Sequence, residues 1–308
     1  MRIAVTGSTG FIGKGLVKRL SESGHEIIAL TRNTNRAMKV LGARVRCAEF
    51  PGDNPERAAA VLEGIDTIVN LAGENIGSFL WTKRKRGKII DSRVRIGRFI
   101  TEIIRIMRNP PEVLVQASAV GYYGSRGDSI LTETSDKGSG FLPKVVTEWE
   151  GSVAEVESLG VRTVIMRSGV VISPDGGAFP KLSLPYRLGV GTLLGSGIQW
   201  LPWIYFEDEI RAVIFLLLTK KCSGTYNLVA PNPERMSEIC RRLGPTRLSI
   251  PPAILRFVLG DMGNETILTS QRVLPERLTA EGFVFQFPRI ADIPAMVFNR
   301  KTDSPPLQ

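Results

Sequence analysis

One histidine, three scattered cysteines and no long apolar run set the first limits on this chain. His25, the single histidine, falls in a turn between a helical and a strand pattern. That argues against a zinc site and against any mechanism that needs a histidine base, so no metal is expected. Cys47, Cys222 and Cys240 are odd in number, far apart and without CxxC spacing. Neither a disulfide framework nor a metal cluster follows from them. No stretch of about 18 apolar residues is present, which excludes a transmembrane helix. The apolar start is a strand broken by glycines, without the basic leader and small-residue cleavage site of a signal peptide. A cytoplasmic protein is the expectation.

The remaining composition is that of a globular protein, with 43% hydrophobic and 23% charged residues. A length of 308 residues allows one large α/β domain, or a main domain with a smaller appendage. The net charge is +10, and the densest basic cluster is Lys83-Arg84-Lys85-Arg86 with Lys88, beside Trp81 at the start of a helical stretch. Nucleic-acid binding needs basic residues gathered on one face. A solvated face, or a site for an anionic ligand, is the reading preferred here. The expected partner is a small-molecule substrate, not a nucleic acid or a membrane, and the chain is expected to be a monomer or a homodimer.

Strand patterns at 2–6, 26–31, 44–48, 67–71, 113–118 and 161–166 alternate with helical patterns at 11–23, 35–42, 55–63, 84–107 and 142–158. This alternation predicts an α/β fold, a Rossmann-type doubly wound parallel sheet, with ligands at the carboxyl ends of the strands. Residues 174–203, rich in glycine and proline, are expected to be mostly loop, followed by a helix at 207–219 and a strand at 225–229. The resulting division is a Rossmann-type domain over 1–170 and a smaller, loop-rich, substrate-side C-terminal lobe over 171–300, interleaved with it. A disordered tail is expected at 301–308.

Thr6-Gly7-Ser8-Thr9-Gly10-Phe11-Ile12-Gly13 joins the first strand to the first helix. In this GxxGxxG turn Gly7 permits a tight bend, Gly10 lets backbone approach a pyrophosphate, and Gly13 lets helix pack on strand. Gly7, Ser8, Thr9, Gly10, Phe11 and Ile12 are therefore candidate cofactor-binding residues. An NAD site places an acidic residue at the end of the second strand. Here the sequence is Leu30-Thr31-Arg32-Asn33, and Arg32 can receive a 2′-phosphate instead, which favours NADP(H). Leu71, Ala72 and Gly73 close the fourth strand with small residues that admit a cofactor. Ala117 and Arg93 complete the cofactor-binding set.

These pieces resemble the short-chain dehydrogenase/reductase superfamily in its extended, sugar-nucleotide-epimerase-like form. Asn70-Leu71-Ala72-Gly73-Glu74-Asn75-Ile76, Trp81-Thr82, Asp91-Ser92-Arg93, Ser118-Ala119-Val120-Gly121-Tyr122-Tyr123-Gly124, Trp149-Glu150 and Arg167-Ser168-Gly169-Val170-Val171 narrow it to one branch. So do Leu194-Gly195-Ser196-Gly197-Ile198-Gln199-Trp200, Trp203-Ile204-Tyr205-Phe206-Glu207-Asp208 and Ser270-Gln271-Arg272-Val273-Leu274-Pro275. That branch is called NAD-dependent epimerase or nucleoside-diphosphate-sugar epimerase, sometimes cell-division inhibitor, and its C-terminal segment is a domain of unknown function. The branch often has histidine where this chain has Tyr205.

The resemblance implies a Tyr-x-x-x-Lys pair for proton transfer, and this chain has none. The two positions fall on Leu142 and Val146, and the superfamily's active-site serine or threonine falls on Ala119. Ser118 and Tyr122 are left as candidate catalytic residues, with Lys144 also considered. Three readings stay open: an epimerase or reductase using other groups, hydride transfer to an acceptor that needs little acid help, and an NADP(H)-responsive binding or regulatory protein.

Overall fold

A computed structural model describes residues 1–50, 52, 54–77 and 81–299. The tail expected at 301–308 lies outside them. Seven parallel strands form the central sheet: β1 (Arg2–Thr6), β2 (Glu26–Thr31), β3 (Arg46–Glu49), β4 (Thr67–Asn70), β5 (Val113–Ala119), β6 (Arg162–Ser168) and β7 (Gly224–Leu228). Their spatial order is 3-2-1-4-5-6-7. The order reverses direction at β1, and a ligand crevice opens at such a point.

Each strand alternates between two cores. Ile3, Val5, Ile27, Val69, Val115, Val164 and Met166 face one layer, with helices α1 (Phe11–Glu22) and α7 (Phe206–Leu218) packed on it. Ala4, Ile28, Ile68, Leu114 and Ile165 face the other, under α3 (Pro55–Leu62) and α4 (Lys83–Ile106). Side chains two residues apart share a face, so this parity decides where each site residue points. Ser118 and Arg167 belong to the second face. Ala117 and Ser168 belong to the first.

The sequence pattern places β1 to β6 within two residues of their observed ends. It misses α6 (Phe179–Arg187), which lies in the stretch expected to be loop. Pro180 stands in the first turn, where a missing N–H does no harm, and only Pro185 is interior. Short strand pairs join 170–172 to 203–205 and 192–194 to 248–250. With α8 (Met236–Leu243) they enclose a third core around Phe179, Trp203, Ile239 and Ile293. α7 and β7 then return to the sheet, so the boundary expected at residue 170 does not coincide with the sheet's edge. No described helix is long and apolar enough to cross a membrane.

Candidate functional site

The carboxyl ends of β1 and β4 meet at the glycine turn. Gly7 has φ +65°, and a Cβ there would stand 2.6 Å from the Leu71 carbonyl oxygen. A Cβ on Gly13 would stand 2.3 Å from the Gly7 carbonyl oxygen. Both positions need glycine, and Gly10 N closes the turn by donating to Gly7 O at 2.9 Å. α1 begins there with no side-chain cap and no acidic residue in its first turn. By contrast α2 (Thr34–Leu41), α3 and α4 are capped by Asn33, Asn54 and Thr82. The open α1 amides and the partial positive charge of its end form a seat for an anion. Ser8 adds a buried hydroxyl with no partner among the described residues. Below the turn, Thr6 Oγ1 donates to Asn70 Oδ1 at 2.6 Å, and Asn70 Nδ2 donates to Gln116 Oε1 at 2.8 Å. This buried chain ties β1, β4 and β5 together at the mouth of the crevice.

Thr9, Phe11 and Ile12 are half-buried around the turn, and Phe11 packs between Phe206, at 4.7 Å, and the backbone of Gly176. Arg32 is exposed at the end of β2 and forms no ion pair with a described residue. Leu71 and Ala72 pass over Gly7, and Gly73 follows them. Arg93 lies against Gly73, donates to the Glu74 and Ile89 carbonyls at 3.0 and 3.1 Å, and stacks on Trp149 at 4.9 Å. Burial lowers its pKa to about 10. Arg93 is thus part of the crevice wall, while Arg32 is a free arm.

At the end of β5 the structure brings together residues that sequence reasoning left apart. Ser118 Oγ donates to Glu150 Oε1 at 2.6 Å. Glu150, on α5 (Phe141–Gly151), holds Arg167 through two bonds of 2.8 Å. Arg167 lies 3.5 Å over the Tyr122 ring and donates to the Tyr123 hydroxyl at 3.1 Å, which donates to Asn227 at 2.7 Å. Burial opposes the Arg167 charge, but Glu150 holds its proton more firmly than an ordinary arginine does. Ser118 is 5% exposed, with its proton committed to Glu150. Leu142 and Val146, at the Tyr and Lys positions, pack against Gly121. Lys144 is a surface residue paired with Glu148. Trp203 is buried in the lobe core. Trp200 lies between Arg235 and Arg272 and donates to Asp128. Tyr205 meets Phe287 edge-on, with ring centroids 4.5 Å apart.

Glu209 was not foreseen. It is 1% exposed on α7, accepts from Ser168 Oγ at 2.6 Å, and its Oε2 has no partner among the described residues. The apolar row Val213 and Leu216, four and seven residues on, was the signal that this acid faces inward. Burial pushes its carboxyl up to about 7, against the pull of Ser168. A folded pKa above the unfolded value means that ionisation is harder in the fold. The associated stability is therefore complete below the model-peptide value of 4.5 and is lost as pH rises through about 7. The total is about 3 kcal/mol. Glu209→Gln is expected to flatten this slope, measured as urea midpoints of both proteins near pH 5 and near pH 8. Parallel changes in the two would remove Glu209 as its source.

Comparison with known proteins places this geometry. The model of the NAD dependent epimerase/dehydratase family matches residues 3–228, and that of a domain of unknown function (DUF1731) matches 250–293. The chain is 36% identical over 305 residues to the "Epimerase family protein SDR39U1 homolog, chloroplastic" of Arabidopsis thaliana, covering 95% of this chain and 85% of that protein. It is 33% identical over 311 residues to the "Epimerase family protein YfhF" of Bacillus subtilis, covering 98% and 100%. Among solved structures, human epimerase family protein SDR39U1 (isoform 2) with NADPH superposes with a TM-score of 0.84 at 30% identity, covering 95% of this chain and 97% of that one. The Rossmann-type sheet, the glycine turn and the two family matches agree: the chain belongs to the NAD dependent epimerase/dehydratase family.

Proposed function

We propose that this chain is an NADP(H)-binding, epimerase/reductase-like protein that holds its cofactor over the glycine turn. The observation that carries this reading is the cradle. Side chains at Gly7 and Gly13 would collide with backbone, and α1 opens beside them with an uncapped end. Gly7, Ser8, Thr9, Gly10, Phe11 and Ile12 are assigned to the pyrophosphate side. Leu71, Ala72, Gly73, Ala117 and Arg93 are assigned to the crevice wall, and Arg32 to the 2′-phosphate. That the human relative was crystallised with NADPH supports the choice of cofactor. Such a cofactor, when bound, supplies or accepts a hydride.

On the substrate side Ser118 and Tyr122 are the assigned residues. Because the Ser118 proton goes to Glu150, its remaining lone pairs make it an acceptor toward a ligand. The Tyr122 hydroxyl has no partner among the described residues, while its ring is fixed beneath Arg167. Tyr122 is accordingly assigned as proton donor, with a nucleotide-sugar or similar polar molecule as substrate. The same reading places the protein in the cytoplasm. It leaves out nucleic acid because Lys85 is paired with Glu74 and Arg86 with Asp261, which interrupts the basic face.

A second reading, an NADP(H)-responsive binding protein without catalysis, is favoured by the apolar Leu142 and Val146 packed onto Gly121. Calorimetric titration with NADPH, NADP⁺, NADH and NAD⁺ is expected to give tight binding of the phosphorylated pair alone. Binding of none would remove the cofactor reading. Turnover of a nucleotide-sugar, seen as NADPH consumption for a reductase or as a new epimer with no net NADPH consumed for an epimerase, and abolished in Tyr122→Phe, would support the first reading. Intact NADPH binding without turnover selects the second.

A further inference from the structure

The N-terminus of α5 is capped from a distant part of the chain. Gly140, its N-cap, offers no side chain, and no acid stands in the first turn. Glu265 fills the role: Oε1 accepts from Phe141 N at 2.8 Å and Oε2 from Leu142 N at 2.6 Å. Glu265 sits in a π-helical turn, Gly263–Ile267, that continues α9 (Pro252–Met262). α9 is broken at Gly260, with φ 54° and ψ −138°, a conformation natural only to glycine. Toward the protein α9 buries Leu255 and Leu259. On its other side Ile254, Phe257 and Val258 face solvent, Phe257 being 91% exposed. Leu255 and Leu259, with Met262 packed into the cluster of Trp81 and Phe141, hold this helix, which lies off the sheet and can lift without disturbing it, with the glycine break beside its polar contacts.

Charge divides across this contact. A cavity of about 490 Å³ is lined on one side by Lys83 and Arg86 of α4 and Lys144 of α5. On the other it is lined by Asp261 and Glu265. Asp261 is ion-paired with Arg86. An adjoining cavity of about 290 Å³ shares Glu265 and reaches Gly121 and Gln271, beside the turn Val120–Tyr123 that follows β5. Lifting 252–267 takes away two carboxylates and frees Arg86 and two amides, beside Lys83 and Lys144, which are exposed already.

We propose that Pro252–Ile267 is a lid over these cavities, held shut by Glu265 and Asp261. The ligand that opens it bears a phosphate or carboxylate that takes the α5 amides from Glu265. Arg86, in the basic run at the head of α4 that the cofactor assignment leaves out, gains a role: it holds the lid when closed and, with Lys83, the anion when open. The inference stands apart from the cofactor reading.

Hydrogen exchange of the full chain tests it, with NADPH added to fill the glycine turn. Inorganic pyrophosphate and succinate, added separately, distinguish the two anion chemistries. At least one is expected to speed exchange across 252–267 while the Phe141 and Leu142 amides stay protected. Glu265→Gln is expected to speed exchange of the lid about fivefold without any probe, the size of a lost helix cap. Asp261→Asn, at an exposed pair, is expected to act in the same direction with less risk to folding. Lid exchange unmoved by both probes overturns the anion; lid exchange unmoved by both variants overturns the latch. The readout is local to 252–267 and 141–142, so a failure of NADPH to bind, read by calorimetry, counts against the cofactor reading alone.

Discussion

Arg167→Ala is expected to lower stability by about 3–5 kcal/mol, the loss typical when one partner of a buried ion pair is removed. Side-chain exposure is 6% for Arg167 and 16% for Glu150, so little water reaches either charge. The truncation deletes both 2.8 Å bonds and leaves the Glu150 carboxylate buried with Ser118 as its remaining bonded side chain. It also removes the cation over Tyr122 and a donor to Tyr123. Replacing the pair together, Arg167→Met with Glu150→Gln, is expected to restore much of the loss, because no uncompensated charge then remains buried. Urea unfolding of the single and double variants measures both effects. An Arg167→Ala protein within about 1 kcal/mol of the parent would mean that water reaches Glu150 after all.

The second large effect concerns affinity. Arg32→Glu is expected to weaken NADPH binding about a hundredfold or more, since a charge-assisted contact is lost and a repulsive charge takes its place. NADH, which has no 2′-phosphate, is expected to change only a few-fold. The substitution spares the local fold, because the cap of α2 is the Asn33 side chain accepting from Arg36 N. Calorimetry on both nucleotides gives the ratio directly. Equal losses for the two would falsify the 2′-phosphate assignment.

The sheet was legible because parallel strands buried on both faces read as short apolar runs between glycine and proline punctuation. The glycine turn was legible because its constraints are local: Gly7, Gly10 and Gly13 meet each other and the end of β4. What escaped is non-local. Ser118, Glu150 and Arg167 each belong to a recognisable motif, yet only the pairing of β5 with β6 and the position of α5 join them. Glu265 reaches amides 124 and 123 positions earlier in the chain, and no periodicity encodes that contact. α6 was hidden by its prolines, one of which sits where a helix tolerates it. The same contacts change how Ser118 is read: a serine beside the active-site position looks available in sequence, whereas parity along β5 turns it toward α5.

Residues 169–223, which supply part of the third core, run between β6 and β7, so the chain leaves the sheet after Ser168 and regains it only at Gly224. During synthesis β6 therefore emerges as an unprotected sheet edge and stays so until the intervening segment has been made and folded back. Such an edge invites pairing with another chain. The closing β7–β6 contact, long-range in sequence, comes late in folding. A fragment ending near residue 170 would present that edge permanently, which makes the nominal nucleotide-binding half a poor unit to express alone.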